Sequence, residues 1–296
     1  MNSQANTVAS SLPGDDIAEY ADIVTYPLLD EGSASWAACV ERIQQQLEKT
    51  AYSVLSSFIR THRLADFAAE GRAIAPLAWS RTETVNAYNI AFDQDLPEWH
   101  PGRIRMERGN GFVARDCIPP DFLINRLFQN LPFQRFIAGC LGTARVFEFA
   151  DPLAGLCLNV LKPGREHPWH FDTNEFTVSL LTQKPESGGV FEYCPDIRSP
   201  EDENLSAVCR VLQGGGGRHI HRIFLQPGDL FLFRGRYTLH RVSPVEGNME
   251  RHSAILAYTK EPGVIGTAER TRQLFGRLLP IHAAAAKSPR GDGLLD

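Results

Sequence analysis

The chain has 296 residues, 43% of them hydrophobic, which is enough to bury one large core. Its formal net charge of -5 and pI near 6.0 give no electrostatic reason to expect a nucleic-acid partner. Six scattered cysteines without a C-x-x-C pair predict reduced thiols rather than a disulfide framework. The polar first residues lack the pattern of a signal peptide, and no apolar run reaches the roughly 20 residues that span a bilayer. We therefore expect a cytoplasmic protein without a membrane partner, and the oligomeric state stays open.

The first half of the chain is expected to be mainly helical. Residues 1–15 are polar and predicted to be a disordered tail, and residues 16–145 are predicted to pack on a β core as a helical region. Apolar residues recur at steps of three and four over residues 36–70, which predicts one helix there. Ser33 and Ser35 both precede its first apolar residue, so either is a candidate N-cap.

A second predicted helix covers residues 121–142, and after it the composition changes. About seven short runs rich in β-forming residues, such as ARVFEFA, EFTVSLLTQ and HSAILAYT, follow one another between Gly, Pro, Asp and Asn. This pattern predicts an antiparallel sandwich or small barrel over residues 146–262. The glycines at 214–217 are predicted to form a hairpin insertion, and residues 263–296 a C-terminal helix and tail.

The stretch WHFDTNEF places His170 and Asp172 two residues apart. On a strand, residues i and i+2 point to the same face, so both side chains could reach one metal ion. An H-x-D triplet alone is weak evidence, because solvated polar residues are common at strand ends.

A second histidine follows 70 residues later, on another predicted strand of the same β unit. The motif PGDLFLF reads as a turn and a buried strand, and LHRVSPV places His240 at the start of the next strand. Two histidines and one carboxylate on one side of a metal leave the other side open. That arrangement suits non-haem Fe(II), which needs free positions for a cosubstrate and O₂.

Arg251 and Ser253 lie eleven and thirteen residues beyond His240. A strand would place both side chains on one face, where a guanidinium and a hydroxyl can bind a carboxylate. The alternative is an exposed charge on the segment MERHSAILAY.

The order of these motifs, HFD, PGDLFLF, LHRVSPV and RHS, resembles the Fe(II)/2-oxoglutarate-dependent oxygenases over roughly residues 146–262. The resemblance implies an α+β chain with a double-stranded β-helix core, of the jelly-roll or cupin-like type, with N-terminal and C-terminal helices. It implies that His170, Asp172 and His240 hold the iron and that Arg251 with Ser253 binds the distal carboxylate of 2-oxoglutarate. Fe(II), 2-oxoglutarate and O₂ are the expected cofactors and cosubstrates.

A narrower resemblance comes from WHFDTNEFTVSLLTQ followed by GGVFEYCPDIR, which is similar to the free-amino-acid halogenases and their hydroxylating relatives. In the halogenases Gly or Ala replaces the metal carboxylate and makes room for chloride. This chain has Asp172 at that position. The resemblance therefore favours hydroxylation of a small polar molecule, a free amino acid or a derivative of one, with 2-oxoglutarate converted to succinate and CO₂.

Further polar and aromatic residues are candidates for the pocket. Asn159, on the preceding strand, is predicted to face 2-oxoglutarate or substrate. The candidate substrate contacts are Trp169, Asn174, Glu175 and His167. For the polar residues a solvated surface position is an equally good interpretation, and for Trp169 a place in the core is the alternative.

Other histidines and arginines also offer candidate sites. His219 and His221 also form an i, i+2 pair, but neither has a carboxylate two residues away, so we expect no metal there. A basic wall above the pocket is a further hypothesis, formed by Arg72, Arg103, Arg105 and Arg108. Two other functions stay open: the same cofactor chemistry ending in desaturation, cyclisation or C–C cleavage, and a jelly-roll binding protein without turnover.

Overall fold

Helices and strands of the chain are seen in a computed structural model that describes residues 15–284 and 294–295. The predicted tail of residues 1–15 lies outside the described residues except for Asp15. The described part contains the α-helices α1 Ala34–Thr50, α2 Leu64–Ile74, α3 Leu123–Gln129, α4 Leu131–Cys140, α5 Leu205–Arg210, α6 Ala268–Phe275 and α7 Pro280–Ala284. None of these helices is long and apolar enough to cross a membrane.

Seventeen strands form the β part of the described chain. They are β1 Tyr52–Leu55, β2 Trp79–Ser80, β3 Glu83–Val85, β4 Met106–Arg108, β5 Gly111–Val113, β6 Phe147–Glu148, β7 Leu156–Leu161, β8 His167–His170, β9 Thr177–Gln183, β10 Ser187–Gly188, β11 Phe191–Cys194, β12 His221–Ile223, β13 Leu230–Phe233, β14 Leu239–Val242, β15 Val245–Glu246, β16 Arg251–Leu256 and β17 Tyr258–Thr259.

Two antiparallel sheets make the β core. The major sheet has the strand order β1-β13-β9-β16-β7-β5-β2, and the minor sheet has the order β12-β11-β14-β8. Strands distant in sequence lie side by side, as expected for the predicted double-stranded β-helix, and the predicted fold class is confirmed. Three strands of the major sheet, β1, β2 and β5, come from before residue 146. The sheet therefore extends beyond the predicted core of residues 146–262, and the domain boundaries stay predictions.

Side chains of the major sheet alternate between two environments. On β7, Leu156 and Leu158 belong to the large apolar core beneath α1 to α4, whereas Cys157 and Asn159 line a cavity between the sheets. The same period of two occurs on β9, β13 and β16. One face of the sheet is thus covered by helices, and the other is free to build a site.

The predicted helix over residues 36–70 is wrong in its middle. The helix α1 begins after Ser33, whose Oγ accepts the N–H of Trp36 at 3.1 Å, and ends at Thr50. Ala51 then adopts a positive φ of 65°, and β1 pairs with the edge of the major sheet through β13. The short run YSVL fits either structure by periodicity, and pairing with the free edge of β13 decides for a strand.

Two further local predictions also need correction. The helix over residues 121–142 is broken at Asn130, because Pro132 lacks the N–H that would continue α3; Asn130 instead caps α4 by accepting the N–H of Phe133 at 2.9 Å. The glycines at 214–217 lie in irregular helical turns that follow α5, not in a hairpin.

Candidate active site

His170 and His240 lie directly opposite each other on β8 and β14 of the minor sheet, and their ring centroids are 4.1 Å apart. The pairing of the two strands shifts between His240 and Val242, where the partners on β8 are His170 and His167. One additional residue on β8 is therefore accommodated as a bulge. The bulge allows His167, three residues before His170, to lie on the same side of the strand.

Backbone carbonyls fix the orientation of both imidazoles. Nδ1 of His170 lies 2.8 Å from the carbonyl oxygen of Pro168, and Nδ1 of His240 lies 2.9 Å from that of Thr238. Because a carbonyl can only accept, Nδ1 carries the hydrogen in each ring and Nε2 keeps its lone pair. Burial, together with the neighbouring His240, lowers the pKa of His170 to about 4. The His170 ring is therefore neutral near pH 7, as a metal ligand must be.

Asp172 follows β8 and brings its carboxylate to the two imidazoles. Its Oδ1 lies 3.6 Å from Nε2 of His170 and 3.5 Å from Nε2 of His240, and its Oδ2 accepts the hydroxyl of Thr177 at 2.5 Å. Burial by itself raises the pKa of the Asp172 carboxyl, but the two imidazoles outweigh this effect and hold the pKa well below its usual value. The group is a carboxylate at neutral pH.

Gly235 provides the space for this carboxylate. Its carbonyl accepts the N–H of Asp172 at 3.1 Å, and a methyl group on its Cα would overlap Oδ2 of Asp172. The close approach of backbone and carboxylate thus requires a residue without a side chain.

The three side chains form a metal-binding group. The ligand atoms of His170, Asp172 and His240 lie within 4.8 Å of one another, and no other group of this kind occurs among the described residues. Two imidazole nitrogens and one carboxylate oxygen on one side of an ion match the facial donor set of non-haem Fe(II). The residues present therefore fit the iron predicted from the sequence, whereas His219 and His221 lie on the exposed surface outside this group.

Arg251 and Ser253 face the triad from the major sheet. Nη1 of Arg251 donates to Oγ of Ser253 at 2.6 Å, and Ser253 is paired directly across from Asn159 on β7. Oδ1 of Asn159 accepts from Nδ2 of Asn110 at 3.1 Å. Burial lowers the pKa of Arg251 to about 10, so it stays a cation, and no carboxylate of the described chain pairs with it. A buried guanidinium in this state is suited to bind an anion.

A cavity of about 470 Å³ connects the metal-binding group with Arg251. His167 and Asn174, two of the predicted substrate contacts, line it, as do Asn159 and Ser253. The ring of His167 stacks on that of His170 with the centroids 3.8 Å apart. The volume falls in the range of roughly 300–1,000 Å³ that is typical of small-molecule sites.

Two predicted substrate residues do not reach the cavity. Trp169 alternates with His170 on β8, so its ring packs in a separate apolar cluster with the guanidinium of Arg241 4.9 Å from the ring centroid. Glu175 lies in the loop after the triad and forms a 2.7 Å ion pair with Lys260 at the surface. Trp169 therefore lies in the core, the alternative position for this residue, and Glu175 lies at the surface.

The hypothesis of a basic wall is also wrong, since none of its four arginines lines the cavity. Arg72 binds Oε1 of Gln183 behind the major sheet, and Arg108 is buried against Glu83 at 2.7 Å. The remaining two are Arg103, bound to a backbone carbonyl, and Arg105, stacked on Phe92.

Thr177 and Arg270 are among the cavity residues that sequence reasoning missed. Thr177 is the first residue of β9 and lies on the face of the strand that lines the cavity, so strand alternation could have indicated it. Arg270 lies on α6, beyond the predicted core, and no motif in the sequence marks it.

A family model described as halogenase D matches residues 113–272, which is just over half of the 296 residues. The match includes both histidines, Asp172 and the Arg251–Ser253 pair. Among curated proteins, none matches this chain.

Solved structures with the same fold share little sequence with the chain. The epimerase SnoN, in complex with Fe³⁺, α-ketoglutarate and nogalamycin RO, is 15% identical with a TM-score of 0.53, covering 88% of this chain and 96% of its own. AviO1 from Streptomyces viridochromogenes Tue57 is 14% identical with a TM-score of 0.51, covering 76% of this chain and 96% of its own. The family match and the metal-binding group together show that the chain belongs to the halogenase D family and is an Fe(II)/2-oxoglutarate-dependent oxygenase.

Proposed function

We propose that the enzyme hydroxylates an unactivated C–H bond of a small polar molecule, a free amino acid or a derivative of one. In this reaction the substrate, O₂ and 2-oxoglutarate give the hydroxylated product, succinate and CO₂. One oxygen atom of O₂ enters the product and the other enters succinate, so atoms and electrons balance without a further reductant.

The presence of Asp172 is the observation that favours hydroxylation over halogenation. The matching family model is described as a halogenase. The sequence resemblance implies that the halogenases have Gly or Ala at the position of Asp172. Here the carboxylate lies 3.6 and 3.5 Å from the two imidazole nitrogens, and Gly235 leaves room for it. A third protein ligand fills the position that chloride would need. The donor set therefore supports oxygen transfer rather than halogenation.

Separate groups of cavity residues would bind the iron and 2-oxoglutarate. His170, Asp172 and His240 would hold the iron, which, with 2-oxoglutarate bound, supplies the activation of O₂. Arg251 would bind the far carboxylate of 2-oxoglutarate through its planar fork, with the Ser253 hydroxyl beside it. Asn159, directly opposite Ser253, would contact the same molecule.

His167 and Asn174 are proposed to contact the substrate. Both line the cavity, and His167 stacks on a metal ligand, so a molecule bound beside it lies next to the iron position. Burial and the neighbouring His170 lower the pKa of His167 well below its usual value. The neutral ring offers one donor or acceptor to a substrate without adding charge.

The proposal is tested with purified protein, Fe(II), 2-oxoglutarate and O₂ in the presence of a panel of free amino acids. We expect at least one amino acid to raise succinate formation well above the rate without substrate, and its product to gain the mass of one oxygen atom. Asp172→Ala is the control and is expected to lose this response because the third ligand is gone.

Each other outcome has a distinct signature. A product lacking two hydrogen atoms indicates desaturation or cyclisation, fragments indicate C–C cleavage, and a chlorinated product in chloride buffer contradicts the assignment based on Asp172. If no panel member raises succinate formation, the amino-acid substrate is wrong. If wild-type protein consumes no 2-oxoglutarate at all under these conditions, a non-catalytic binding protein is the better interpretation.

A further inference from the structure

Helix α6 closes one side of the cavity and contributes a second arginine to it. The helix begins after Thr267, whose Oγ1 accepts the N–H of Arg270, and both residues line the cavity. Arg270 lies far from Arg251 in sequence and on a different element, since Arg251 belongs to the major sheet. The cavity thus has two guanidinium groups on separate elements.

Neutral side chains hold Arg270 in place. Its Nη1 donates to Oδ1 of Asn89 at 3.2 Å and to Oε1 of Gln273 at 2.5 Å. Its Nε and Nη2 make no hydrogen bond with any described residue, and no carboxylate there pairs with it. One side of the guanidinium is therefore fixed, while the other keeps donors free for a ligand.

Arg108, whose charge acts on Arg270, does not compete with it for an anion. Arg108 forms a 2.7 Å ion pair with Glu83 and donates to the backbone carbonyl of Gln273, so its charge is already matched. Burial lowers the pKa of Arg270 to about 10, with the charge of Arg108 adding to the effect and Asp172 opposing it. Arg270 remains protonated at neutral pH.

The charges of the site leave Arg270 uncompensated. Among the described residues that line the cavity, Asp172 is the only acid, and Arg251 and Arg270 are the cations other than histidine. The two charges of Fe(II) and that of Arg251 are matched by Asp172 and the two carboxylates of 2-oxoglutarate. One guanidinium then remains in a partly enclosed cavity, where an unpaired charge is costly.

We propose that Arg270 is the binding site for a carboxylate of the substrate and so restricts the substrates to small organic acids, amino acids included. This inference rests on the proposed function, because it requires Fe(II) and 2-oxoglutarate to occupy the triad and Arg251. Nε and Nη2 form one edge of the guanidinium, which matches the two oxygens of a carboxylate. A neutral molecule of the same shape would leave the charge unpaired.

The test measures binding rather than turnover. Wild-type protein saturated with Fe(II) and 2-oxoglutarate under nitrogen is titrated in a calorimeter with propanoate, butanoate, pentanoate and hexanoate, and with the corresponding amides. We expect at least one acid to bind about tenfold or more tightly than its amide. The charged carboxylate forms stronger hydrogen bonds with the guanidinium of Arg270 than the neutral amide does. Arg270→Gln is expected to remove this difference.

Two further variants separate charge from folding. Arg272→Gln changes an exposed arginine on the same helix and is expected to bind the acids as wild type does. Arg270→Lys keeps the charge without the fork and is expected to keep part of the preference for acids. Loss of the preference in Arg270→Gln but not in Arg270→Lys assigns the effect to the charge.

Three results would overturn the inference: amides that bind as tightly as the acids, an Arg270→Gln variant that prefers acids as wild type does, or no binding of any acid to the loaded protein. The proposed hydroxylation fails in a different way. If acids bind through Arg270 but no amino acid raises succinate formation, the anion site stands and the proposed amino-acid hydroxylation does not.

Discussion

The metal-binding group and the two arginines of the cavity differ in how far the chain itself provides their partners. In the metal-binding group, atoms turned away from the iron position have partners: Nδ1 of each histidine lies against a carbonyl, and Oδ2 of Asp172 accepts the hydroxyl of Thr177. Arg251 and Arg270, by contrast, form hydrogen bonds only with neutral side chains of the described chain. The chain thus provides the outer contacts of the proposed metal ligands, whereas its described residues provide no carboxylate partner for either guanidinium.

This difference separates two kinds of effect. Changes around the metal-binding group remove contacts that pre-orient the ligands, and we expect them to act on metal affinity. Changes at Arg251 or Arg270 would remove the partner of a bound carboxylate, and we expect them to act on the affinity for small molecules. A variant that altered both affinities equally would contradict the division.

The largest effect is expected for Arg251→Gln. We expect the KM for 2-oxoglutarate to rise on the order of 100-fold, because the far carboxylate would be left without its charged partner. Metal affinity should stay within about twofold of wild type. The measurement is 2-oxoglutarate consumption against its concentration, with Arg272→Gln as the control. An unchanged KM would show that 2-oxoglutarate does not use Arg251.

A smaller effect is expected for Thr177→Val, next to the metal-binding group. The substitution keeps the shape of the side chain but removes the hydrogen bond to Oδ2 of Asp172, and metal affinity should fall about 10- to 100-fold. Ser179→Ala is the matched control, since Ser179 lines the same cavity from the same strand without bonding to Asp172. Equal metal affinity in the two variants would contradict an orienting role for Thr177.

A third effect, on stability rather than on affinity, is expected in the pH dependence of the metal-free protein. The unfolded chain protonates His170 below about pH 6.5, but the folded protein does so only below about pH 4. The free energy of unfolding therefore falls as the pH falls through this window, by about 2 kcal/mol from about pH 7 to about pH 5. Urea unfolding of wild type and His170→Asn in a chelator measures this contribution. A variant with the same pH dependence as wild type would refute it.

The metal triad could be predicted from the sequence because its geometry follows from local rules. His170 and Asp172 are two residues apart, and His240 begins a strand that the motif around it marks clearly. Strand alternation then assigns inward positions, as it does for Ser253 opposite Asn159. A period of two, the order of the strands and the resemblance to the Fe(II)/2-oxoglutarate-dependent oxygenases together identified these residues.

Other positions depend on tertiary pairing that no local pattern carries. The segment of β1 falls within the predicted helix because the four-residue run YSVL suits either structure by periodicity, and only pairing with the free edge of β13 makes it a strand. On β8, alternation with His170 already turns Trp169 away from the cavity, whereas only the bulge brings His167 to the cavity side. Arg270 reaches the site through the packing of a helix from outside the predicted core.

Gly235 has a consequence for interpreting related sequences. A Cβ atom at position 235 would overlap the carboxylate of Asp172, so a side chain at 235 and this carboxylate exclude each other. Loss of the carboxylate needs only a change at 172, and Gly235 tolerates it. Gain of the carboxylate in a chain that has a side chain at 235 needs two changes, with the glycine first. A metal site with three protein ligands can therefore become a site with two by one substitution, whereas the reverse change needs two.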